Sequence, residues 1–154
     1  MKLIQVDIRN YGDFNLEEVR IKFVVPGQPK AKQSPRWSGH HMYTAKETVN
    51  YETYAKEMFV ISYPDFVPLE GPLAMTLTAW LMIPKSTSKK KAKLMVERII
   101  RPDKKPDWVN ISSAICDALE RLAYKNDSQI VTAVFHKFYS HQPRLEIEIT
   151  GAKI

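Results

Sequence analysis

The sequence predicts an α+β fold: a small mixed β-sheet with helices packed on one face. Three observations predict it. The last quarter holds two apolar, β-rich runs, Ile130 to Tyr139 and Arg144 to Thr150, joined by a loop at Pro143. Two helix-period patterns occupy the middle of the chain. Strand and helix patterns are interspersed without strict alternation, in the order β-α-β-(α)-α-β-β. The 154 residues suit one domain, 1–154, with residues 1–20 as an N-terminal extension or edge strand.

Each element has a local cause. Ile21 to Val25 reads as a strand that stops at the turn pair Pro26-Gly27. Gln28 to Tyr43 has no periodicity and reads as a loop. Thr44 and Glu47 have capping-box spacing and open a helix with Tyr51, Tyr54, Ala55, Met58, Phe59 and Ser62 on one stripe. Ala74 to Met82 is a strand ended by Pro84. Ser88 caps a short basic helix reaching Val96. Trp108, Ile111, Ile115, Ala118, Leu119 and Leu122 recur at helical spacing, so 108–122 is an amphipathic helix. Lys125 to Ser128 is a polar turn. In the final strand Leu145, Ile147 and Ile149 face one way and Glu146, Glu148 and Thr150 the other.

Composition excludes several classes. A hydrophobic fraction of 44% supplies a core. No apolar run approaches the ~20 residues of a membrane span. Met1 to Asn10 carries Lys2, Asp7 and Arg9 and lacks a signal peptide's apolar stretch, so a cytoplasmic location is expected. The lone cysteine, Cys116, excludes an intramolecular disulfide and a cysteine zinc cluster, and reads as a buried small hydrophobe. His40 and His41 lack further ligands at metal-site spacing.

Charge is segregated. The net charge is +6. Residues 85–105 hold nine Lys/Arg against two acids, and residues 21–46 hold five bases and no acid, so the remainder is acidic. Two basic segments on an acidic background suit a polyanion such as nucleic acid. A solvated lysine loop, an anionic membrane or an acidic protein would account for the same pattern. Asp107 stands at the mouth of the 108–122 helix and Asp127 in the turn beyond it. On pattern alone, helix capping and turn chemistry are the commoner roles for such acids, ahead of a catalytic one. Spacing alone does not say whether they meet.

The residues Lys105-Pro106-Asp107, Asn110, Asp117-Ala118-Leu119, Lys125-Asn126-Asp127-Ser128-Gln129-Ile130 and Lys137 resemble the RusA family of Holliday junction resolvases. So do Val25-Pro26-Gly27-Gln28-Pro29, Lys32, Pro35-Arg36, Tyr43-Thr44, Ile83-Pro84-Lys85 and Pro143 to Glu148; the likeness spans roughly residues 20–150. It implies a homodimeric, Mg²⁺-dependent, structure-selective endonuclease, with Mn²⁺ as a substitute. Such an enzyme resolves four-way junction DNA by paired symmetric nicks in recombination and repair, without a membrane or a small-molecule cofactor. Asp107 and Asp127 would be metal ligands and Lys137 a phosphate contact. Lys30, Lys32, Arg36, Lys85, Lys89, Lys90, Lys91, Lys93, Lys104 and Lys105 would hold DNA, Asn110 would bind a ligand water or cap the helix, and Trp37, His40, His41 and Tyr43 would stack on bases or pack the loop.

Two positions depart from the family pattern. Val109 stands where the family has a second acid, and Ser113 where it has a lysine. Valine cannot ligate a hard cation, so the resemblance supports an alternative: a protein that binds branched DNA with weak or lost cleavage. A third reading is a basic protein that binds another protein and uses neither metal nor DNA.

Overall fold

Period-two alternation places one face of each central strand in the core. The computed structural model describes residues 9–11 and 14–153; the features read from Met1 to Ile8 lie outside them. The strands are β1 (Arg9–Tyr11), β2 (Phe14–Pro26), β3 (Arg36–Trp37), β4 (Met42–Tyr43), β5 (Leu73–Met82), β6 (Ile130–Ser140) and β7 (Arg144–Lys153). The helices are α1 (Lys46–Ser62), α2 (Lys89–Val96) and α3 (Trp108–Leu119), and a 3-10 turn spans Asp127–Gln129.

The main sheet has the order β1-β2-β7-β5-β6. β6 runs parallel to β5 and the other pairs are antiparallel, so the sheet is mixed. The register lines up Phe23, Ile147, Leu77 and Phe135 across four strands on one face. The buried side chains of α1 (Tyr51, Ala55, Phe59) and α3 (Ile111, Ile115, Ala118, Leu119) join the same core. Phe59 anchors an aromatic group, its ring 5.3 Å from Phe23 and 5.6 Å from Phe66. α2 packs against the outer strand β6 instead. No helix among the described residues is long and apolar enough to cross a membrane.

Ile147 sits at the centre of the core and is 2% exposed. Replacing it with alanine is expected to cost about 2–5 kcal/mol through lost burial and the cavity left behind. Urea denaturation should show a lower midpoint with an unchanged slope.

The structure corrects several expectations. α1 is capped by Ala45 without a side-chain bond, so the Thr44–Glu47 capping box does not form. The Thr48 hydroxyl instead accepts from Gln33 N (2.9 Å), and Glu47 takes the Gln33 side chain (2.7 Å). Tertiary contacts outbid the local cap. The first long strand starts at Phe14, not Ile21, because pairing with β7 extends as far as Glu17 and Lys153. The segment 28–43 contains the β3–β4 hairpin, which pairs Arg36 with Tyr43 and Trp37 with Met42. α3 ends at Leu119, since Glu120 leaves helical geometry and Arg121 takes a left-handed φ of 65°.

Candidate active site

The site begins at the mouth of α3. Asp107 is the N-cap: its Oδ1 accepts from Asn110 N at 3.0 Å and its Oδ2 from Asn110 Nδ2 at 2.9 Å. These bonds hold the Asp107 carboxyl below its ordinary range, the backbone amide contributing most. The Asn110 side chain therefore braces the capping carboxylate.

β6 reaches this mouth from the sheet. Register places Lys137 beside Ala79, on the face that carries α3. Its Nζ donates to Lys104 O (2.6 Å) and Pro106 O (2.9 Å), tying down the segment that leads to Asp107. Two of the three ammonium donors are thus committed. The expected phosphate contact is in the first place a strut for the loop.

A groove of about 570 Å³ opens beside Asp107, lined by Lys30, Lys32, Gln33, Lys105, Asp107 and Asn110 among others. It joins the two basic segments that the sequence keeps apart. Lys32 N donates to Asn110 O at 3.0 Å, which docks the 28–34 loop on α3. The Lys32 ammonium pairs with Asp117, and this partner raises its pKa. Arg36 donates to Gln33 Oε1 at 3.2 Å. Lys30, Lys104 and Lys105 are exposed near the groove. Lys85 follows β5, while Lys89, Lys90, Lys91 and Lys93 stand exposed on α2.

Asp127 lies elsewhere. It starts the 3-10 turn beyond the C-terminal end of α3, whose twelve residues span ~18 Å. The chain does come back to the mouth of α3, but with Lys137, roughly 23 Å along β6 from Ile130. The negative charge of Asp127 acts instead on Cys116 and Tyr124, near the far end of the helix. Its turn is firmly built: Gln129 Oε1 accepts from Lys125 N and Asn126 N, and Gln129 Nε2 donates to Leu69 O and Gly71 O. Among the described residues no group of three or more His, Cys, Asp or Glu side chains is placed to hold a metal ion. One copy therefore does not assemble Asp107 and Asp127 around a single divalent cation.

Trp108, expected on the buried stripe of α3, is 57% exposed and Val109 is 54% exposed. Trp108 lines a second, shallower groove with Ala133, Phe135 and Lys137. Trp37 is 67% exposed on the β3–β4 hairpin, so packing against the body does not account for it. Cys116 is half-buried, and burial pushes its thiol pKa up, which keeps it protonated. Sequence reading missed Gln33 and Glu47 as groove residues; the capping-box pattern had assigned Glu47 to a local role, and Gln33 carried no signal.

A basic groove with an ionised carboxylate fixed at a helix mouth is the equipment of a protein that handles a polyanion. The sequence model of the family described as Endodeoxyribonuclease RusA matches residues 26–150. The uncharacterized protein YqaN of Bacillus subtilis (strain 168) is 36% identical over 135 residues, covering 84% of this chain and 94% of that protein. The chain belongs to the RusA endodeoxyribonuclease family.

Proposed function

We propose that the protein is a homodimeric, Mg²⁺-dependent endonuclease that nicks four-way junction DNA symmetrically, with Mn²⁺ as a substitute. The observation that carries this reading is the groove at the mouth of α3, where Lys30 and Lys105 flank the ionised Asp107. Family membership supports it. The test is a synthetic four-way junction with Mg²⁺ or Mn²⁺ and a linear duplex as control. Paired nicks at symmetric positions are expected, and equal treatment of junction and duplex would overturn the reading.

A divalent cation would supply an acidified water and offset charge on the phosphate. Since Asp107 and Asp127 lie at opposite ends of α3, one ion meets both only if a second copy contributes. A two-fold axis crossing α3 near its middle sets two helices antiparallel and brings Asp107 of one copy toward the partner's Asp127. The exposed Trp108, Val109 and Val131 (69% exposed) offer apolar surface for such a contact.

Mixed dimers test this arrangement. Asp107→Asn and Asp127→Asn copies should each be inactive alone. Mixed, they should regain about a quarter of the parent's nicking, because half the dimers then carry one intact composite site. No recovery would place each site within one copy.

One observation favours a second reading, binding without cleavage. Val109 stands exposed next to Asp107, where the family places an acid. Tight, salt-sensitive junction binding with no nicks in either cation would select it.

A further inference from the structure

The face of the sheet turned away from α1 and α3 carries a cluster that the groove does not use. Register sets Arg144 of β7, Trp80 of β5 and Phe138 of β6 side by side on it. The Trp80 and Phe138 rings are 5.0 Å apart. The Arg144 guanidinium lies 4.6 Å from the Trp80 ring centre, and that of Arg98 lies 5.2 Å from both rings. The Arg101 guanidinium lies 4.4 Å from Phe138. Three planar cations are thus held against two aromatic rings.

We infer that this face is a second DNA site, in which Arg98, Arg101 and Arg144 hold backbone phosphates of a duplex arm. The inference rests on the DNA-binding reading above and extends it to residues outside the two basic segments' lysines.

Four observations carry it. A guanidinium stacked on a ring is fixed in position yet keeps its N–H edge for a phosphate. The Arg98 guanidinium has no carboxylate or hydrogen-bond partner among the described residues, so its donors are uncommitted. Arg98 also adopts a left-handed φ of 64° just past the end of α2, a conformation unfavourable for a residue with a Cβ. Finally, Trp80 Nε1 is buried without a partner beneath these cations. Arg144 is braced by Glu146 (2.8 Å) and by Gln142 O (3.0 Å), which orients it and leaves Nη2 for a phosphate, and Glu97 pairs with Lys93 at 3.7 Å.

The position suits a junction arm. Arg101 Nε donates to Lys137 O (3.0 Å), while the carbonyls of Lys104 and Pro106 meet Lys137 Nζ at the mouth of α3. Residues 98–106 therefore pass around the outer edge of β6, from the open face to the catalytic groove. A polyanion leaving the groove would follow this segment onto the three guanidiniums. Such contacts position the backbone without reading bases.

The experiment measures binding of a synthetic four-way junction over a salt series, without divalent cation. The Arg98→Gln, Arg144→Gln double variant should lower the slope of log K against log salt by about 1.8 and weaken affinity roughly 60-fold at 0.1 M salt. Arg98→Lys with Arg144→Lys keeps the charge and should retain most of the slope. If the glutamine pair fails to fold, Arg98→Gln alone decides, with an expected slope change of about 0.9. A variant that folds and binds with the parent's slope and affinity overturns this inference alone. A changed association state with an unchanged slope would make the face a protein contact and overturn it too. A parent that binds neither junction nor duplex at low salt would remove the DNA reading itself, and this site with it.

Discussion

Asp107→Asn should reduce Mg²⁺-dependent junction nicking by roughly 100-fold or more while leaving the fold in place. The substitution separates the two roles of this residue. Asparagine caps a helix about as well as aspartate, because its amide oxygen also accepts from the amide that Asp107 Oδ1 now engages. The thermal midpoint should therefore move by no more than about 2 °C. What disappears is the negative charge, which the two bonds from Asn110 keep in place to lower pH than an ordinary carboxylate. Parent and variant are compared on the same junction, with melting curves recorded alongside. A variant that melts normally and nicks at the parent rate would leave Asp107 as a cap and nothing more.

Val109→Asp combined with Ser113→Lys should act in the opposite direction, raising nicking about tenfold or more above the parent. Val109 occupies the second position of α3 and is 54% exposed, so an acid there enters neither the core nor an occupied space. A negative charge in a first helical turn is favourable in its own right. Ser113 lies four residues on and shares a helical face with Val109, which lets a lysine balance the new charge. The control is Val109→Asp alone, read for both cleavage and junction affinity. If the double variant binds as the parent does and nicks no faster, positions 109 and 113 do not face the reacting phosphate.

Both predictions depend on the crowding of candidate groups at one end of α3, and the sequence showed only part of it. The α3 stripe Ile111, Ile115, Ala118, Leu119 was legible because burial of one helix face imposes a 3.6-residue period. The alternation in β7 was legible for the matching reason in a strand. Ser88 was correctly read as a cap, its hydroxyl accepting from Lys91 N. Thr44 had the same credentials and failed, because Gln33, from a segment more than ten residues away, engages Glu47 and Thr48 of α1 instead. Trp108 matched the α3 period yet sits exposed, since the period continues past the edge of what the core covers.

Composition and local pattern were enough to establish the residue types, the two basic segments, the central helices and strands, and the family likeness. These properties are written within a few residues of one another along the chain. Whether distant groups share a site follows from how the sheet is threaded. Parallel pairing of β5 with β6 sends the chain the length of α3 and back, so it delivers Lys137 to the helix mouth and leaves Asp127 at the opposite end. The same pairing, with β7 alongside, lines up Arg144, Trp80 and Phe138. Spacing in one dimension carries no record of strand register or direction, and those two quantities set every juxtaposition on which the chemistry depends.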